Sequence, residues 1–90
     1  METLKELRNS TIAHTDAGDY LIVEGEMKKN IEKKGKVVKK RAGLIYVEIE
    51  NERFTTMNKA GINEGDVVNC FLRTTTNNGK IDFIVENVEK

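Results

Sequence analysis

Residues 28–41 are where the chain concentrates its positive charge. Lys28, Lys29, Lys33, Lys34, Lys36, Lys39, Lys40 and Arg41 stand there against one carboxylate, Glu32. The whole chain has 15 basic and 15 acidic side chains and a formal charge of zero, so the remainder must be acidic to the same extent. Such a segment suits polyanions, because cations neutralise phosphates and release their counterions, with affinity falling as salt rises. Contact with bases also needs flat side chains on an open surface. Tyr46 and Phe71 supply rings, and Arg53 and Arg73 supply guanidinium groups that stack or pair with phosphates. The candidate nucleic-acid-binding set is therefore Lys33, Lys34, Lys36, Lys39, Lys40, Arg41, Tyr46, Arg53, Phe71 and Arg73. A plainer reading stands beside it. Lysines guard edge strands against aggregation, and the two rings can equally pack under a helix.

No reaction centre can be assembled from the other residues. There is no Ser/His/Asp grouping in a recognisable context, no zinc-ligand spacing and no phosphate-binding glycine loop. Gly61 and Gly65 lack the Lys-Ser/Thr step that a P-loop requires. His14 sits beside a polar turn with no second histidine, so a solvated ring is expected. Glu48, Glu50 and Glu52 share one face of an extended strand. With no carbonyl-rich loop to complete a shell, they read as solvated carboxylates. Cys70 is the single cysteine, which rules out an intrachain disulfide and fits a small buried side chain in a strand. The expectation is a protein that is not an enzyme and needs no cofactor or metal.

The elements that must position these groups are mostly strands. The clearest lies at residues 44–54, where Ile45, Val47 and Ile49 alternate with Tyr46, Glu48 and Glu50. That period of two marks a strand buried on one face. Asn51 and Glu52 read as a tight reversal into a second strand from Arg53 to about Asn58. In chain order, residues 2–9 form a short amphipathic helix through Leu4 and Leu7. Residues 15–19 are a turn cluster. Tyr20, Leu21, Ile22 and Val23 make a strand, with Gly25 at a bulge or bend. Residues 31–38 make another, kinked at Gly35, with Ile31, Gly35 and Val37 on one face. Residues 57–65 connect. Residues 67–73 carry apolar groups on both sides, as a central strand does. Residues 74–79 form a polar loop ending in Asn78-Gly79. Ile81, Phe83 and Val85 then alternate inward, and the last five residues fray. Short strands at this spacing suggest a closed or nearly closed barrel, which also hides its edges.

Ninety residues make one domain with one small core. No apolar run is long enough to cross a bilayer, and the start has no basic segment followed by an apolar one, so neither a membrane partner nor a signal peptide is expected. With the lone cysteine, this points to a cytoplasmic protein.

From Ile31 onward the order and spacing resemble bacterial translation initiation factor one and the related S1-type barrels. The matching residues are Ile31-Glu32, Gly35 and Val37, then Val47-Glu48-Ile49-Glu50-Asn51, Gly65-Asp66-Val67-Val68 and Gly79-Lys80-Ile81. The resemblance implies an OB-fold, a small five-stranded barrel that binds nucleic acid. In S1-type members an aromatic on the RNA-facing side precedes the Val-Glu-Ile, and Tyr46 occupies that place. The expected architecture is all-β: a five-stranded OB-like barrel over residues 30–90, with residues 1–29 adding a short helix and an extra strand. The expected function is non-catalytic binding of single-stranded RNA or DNA. The alternative is a module that docks electrostatically on a larger protein or on a second copy of itself.

Overall fold

A computed structural model describes residues 3–90. The element order is α1 (Leu4–Leu7), β1 (Thr11–Thr15), β2 (Gly18–Val23), β3 (Glu26–Lys28), β4 (Asn30–Arg41), β5 (Leu44–Ile49), β6 (Glu52–Met57), β7 (Val67–Asn77) and β8 (Lys80–Glu89). The chain is thus mostly strand, with one short helix. The strands form two antiparallel sheets, a three-stranded one of order β1-β2-β3 and a five-stranded one of order β6-β5-β4-β7-β8.

The five-stranded sheet is organised around β4. Its first half pairs with β7, from Asn30 opposite Arg73 to Lys36 opposite Val67. Its second half pairs with β5, from Lys36 opposite Glu48 to Arg41 opposite Leu44. Such a strand must bend, and two features let it. Gly35 lacks the side chain that would meet Ile49 Cγ1 at 2.9 Å and Cys70 Sγ at 3.1 Å. An irregularity between Val37 and Lys39 adds local twist. The sheet curls until its edge strands meet through side chains. The Thr56 hydroxyl of β6 donates to the Val85 carbonyl of β8 at 3.2 Å, and from the loop after β6 Lys59 Nζ donates to the Val88 carbonyl at 3.4 Å. Among the described residues no backbone ladder joins β6 to β8.

The inner face follows the alternation. Val37, Ile45, Val47, Ile49, Val68, Cys70, Leu72, Phe83, Val85 and Val88 are all buried. Burial pushes the Cys70 thiol up to about 11, so it stays a neutral packing group. Loop 58–66 closes one end with the buried Ile62. It is tied to β4 by the Val37 amide donating to the Asp66 carbonyl and the Gly65 amide to the Val37 carbonyl. The other end is covered by α1, whose Leu4 and Leu7 join the same core, as do Leu21 and Val23 of the small sheet. No helix among the described residues is long and apolar enough to cross a membrane.

Several expectations are corrected. The helix is one turn, with Thr3 as its N-cap; the expected Glu2 lies outside the described residues. Residues 11–15 are a strand; His14 on it is exposed, as expected, and also hydrogen-bonded to Asp19 at 2.8 Å. Of the bulge or bend expected at Gly25 the structure has the bend, a two-residue turn of Glu24 and Gly25 with Val23 facing Glu26. Residues 74–77, read as loop from their polarity, continue β7 because Thr74 and Thr76 pair with Phe83 and Ile81. The last residues do not fray: Val88 is buried and opposite Cys70. The central reversal is shifted by one residue, with Ile49 facing Glu52 across Glu50 and Asn51. Both turn residues have positive φ, 51° and 67°, the conformation a two-residue hairpin favours.

Candidate nucleic-acid interface

That one-residue shift decides where the glutamates go. Glu48 is left on the outer face of β5. Glu50, in the turn, accepts a hydrogen bond from the Leu4 amide at 2.8 Å and pairs with Lys33 at 3.0 Å. Glu52 opens β6 and takes both arms of the Arg8 guanidinium at 2.6 Å each. Burial alone pushes the Glu50 carboxyl upward, but the Leu4 amide and the Lys33 ammonium outweigh it and hold it below the usual range. Glu50 and Glu52 thus hold different partners, while Glu48 has none among the described residues. No group of three acidic, His or Cys side chains among the described residues is placed to hold a metal.

The outer face of β4, β5 and β6 is where cations and a ring converge. Register places three rows across these strands: Lys36, Glu48, Arg53; then Lys39, Tyr46, Thr55; then Arg41, Leu44, Met57. At ordinary strand spacings the nine residues cover roughly 10 by 13 Å. The sense is set by the core. Ile45, Val47 and Ile49 are buried inward, so their neighbours Leu44, Tyr46 and Glu48 point out. Tyr46 is half-buried between Lys39 and Thr55. Lys36, Lys39, Arg41 and Arg53 are exposed, and none of them is ion-paired with a described residue. Met57 and Leu44, side by side, are 78% and 40% exposed.

The other candidate residues lie elsewhere. The Lys33 side chain is 10% exposed and committed to Glu50. Lys34 faces outward farther along β4, opposite Asn69. Lys40 shares its row with the buried Ile45, which puts it on the other side of the sheet from Tyr46, where it is exposed. Phe71 is opposite Glu32, about 20 Å along β4 from the Tyr46 row. Arg73 is paired with Glu86 at 2.8 Å. The helix does not reach Tyr46 through its polar contacts. Those run to Glu50, Glu52 and Asp82, and Arg8 lies over the Phe83 ring at 5.5 Å.

Three residues of the face, Leu44, Thr55 and Met57, were not singled out from sequence. The signal for them is the hairpin register, which follows once the turn is placed at Glu50 and Asn51. Compared with protein-family models, with curated proteins and with solved structures, the chain shows no match.

Proposed function

We propose that the chain is a non-catalytic cytoplasmic module that binds single-stranded nucleic acid on the outer face of β4, β5 and β6. The observation that carries this reading is the set of four cations without carboxylate partners among the described residues, Lys36, Lys39, Arg41 and Arg53, around the half-buried Tyr46. Cations take the phosphates, and the ring offers a base a stacking surface. The strand order supports an OB-like barrel, a fold that uses its second and third strands for oligonucleotides; β5 and β6 hold those places when β4 is counted first.

The test is fluorescence anisotropy with a labelled single strand at two salt concentrations. Binding of micromolar order at low salt is expected, and weaker binding at high salt. Reversing Lys36, Lys39 and Arg41 to glutamate should abolish it, whereas reversing Lys28, Lys29 and Lys34 should leave most of it. Equal losses from the two sets would mean that charge, not this face, drives the association. A second reading rests on Met57 and Leu44, whose paired exposure also fits a protein partner. It predicts a dimer in sedimentation, or a stable complex with a larger protein, and no oligonucleotide shift.

A further inference from the structure

We infer that Glu48 makes this face selective for guanine. The inference rests on the nucleic-acid reading above and adds a base preference to it. Glu48 lies two residues along β5 from Tyr46 on the same outward side, with Lys36 directly opposite on β4 and Arg53 directly opposite on β6. It is half-buried, yet its carboxylate makes no hydrogen bond or ion pair with any described residue. A carboxylate in the middle of a phosphate-binding surface repels phosphates, so for polyanion binding alone a neutral residue would serve better.

Its position gives it another use. Two residues along a strand is about 7 Å, which sets the carboxylate beside the edge of a base stacked on the Tyr46 ring. Bases of single strands are commonly read on their Watson–Crick edges. Guanine presents two donors side by side on that edge, N1–H and the 2-amino group, matched to the two oxygens of a carboxylate. Adenine and cytosine present one amino donor next to a ring-nitrogen acceptor. Uracil and thymine present one N–H between two carbonyls, whose lone pairs face the carboxylate. Guanine alone therefore makes a bidentate contact with Glu48. Lys36 and Arg53, one strand away on either side, are placed for the phosphates that flank such a base.

The experiment titrates the full chain against short labelled oligouridines that are uniform or carry one central guanosine, adenosine, cytidine or inosine. The guanosine strand should bind about tenfold more tightly than the uniform one. Inosine, which lacks the 2-amino group, should lose most of that gain without any change to the protein. Glu48→Gln should bind the uniform strand at least as well as the parent while losing the guanosine preference. Equal affinity for all strands overturns the inference and leaves the nucleic-acid reading intact. So does a Glu48→Gln variant that gains affinity for every strand in the same proportion, since the carboxylate would then merely balance Lys36 and Arg53. Failure of the parent to bind any strand overturns both.

Discussion

At the scale of single residues, the bend in β4 depends on what Gly35 lacks. A Cβ there would meet Ile49 Cγ1 at 2.9 Å, Cys70 Sγ at 3.1 Å and the Glu48 carbonyl at 3.2 Å. Ile49 and Cys70 are buried and held by their own strands, so neither can yield freely. Gly35→Ala should therefore overpack the core and cost about 1–3 kcal/mol, read as a lower urea midpoint with an unchanged slope. Because the bend also sets Lys36 and Lys39 next to β5, the variant should weaken oligonucleotide binding more than truncation of Lys34, which lies off the face, to alanine would. A glycine kink was legible in the sequence, since Gly35 interrupts a run of lysines and valines. What it faces was not: Ile49 and Cys70 come from two other strands, and no local pattern says which strands flank β4.

At the scale of elements, α1 is a single turn, far too short to persist by its own hydrogen bonds. It stays because Leu4 and Leu7 enter the core and because two polar contacts fasten it, Glu50 to the Leu4 amide and Arg8 to Glu52. Glu50 pays for this with a positive φ of 51°, which a non-glycine residue adopts at some cost. Its folded-state pKa is lowered, so its contribution to stability is fully present above the ordinary glutamate value of about 4.3. That contribution is lost as pH falls through the depressed folded value. Glu50→Gln keeps an acceptor for the Leu4 amide but leaves Lys33 without this carboxylate. A loss of about 1–2 kcal/mol near neutral pH is expected. The gap between parent and variant should close in acid, as followed by urea unfolding across pH, and a gap independent of pH would remove the charge from the explanation. The helix itself was readable from the spacing of Leu4 and Leu7. The extra length of β7 and β8 was not, because Thr74, Thr76 and Val88 owe their strand conformation to cross-strand partners rather than to a hydrophobic run.

At the scale of the whole molecule, zero formal charge conceals a separation. The three-stranded sheet and its turns carry Asp16, Asp19, Glu24 and Glu26, while β4 alone carries five of the eleven lysines, with Arg41. The basic stretch and Tyr46 were visible in the sequence, but their division was not. A bent, two-partnered strand sends Lys33 to Glu50 and Lys40 to the other side of the sheet, and leaves Lys36, Lys39 and Arg41 beside the ring. This has a thermodynamic signature. For a single strand, the slope of log affinity against log salt is about −0.7 for each phosphate neutralised. Contact through Lys36, Lys39, Arg41 and Arg53 should give a slope of about −3. A ligand that followed all eight cations of residues 28–41 would give a slope nearer −6. The measurement is an anisotropy titration at several potassium chloride concentrations, repeated with Arg53→Gln, which should flatten the slope by somewhat less than one. A slope near −6 that Arg53→Gln leaves unchanged would move the contact off this face and onto the length of β4.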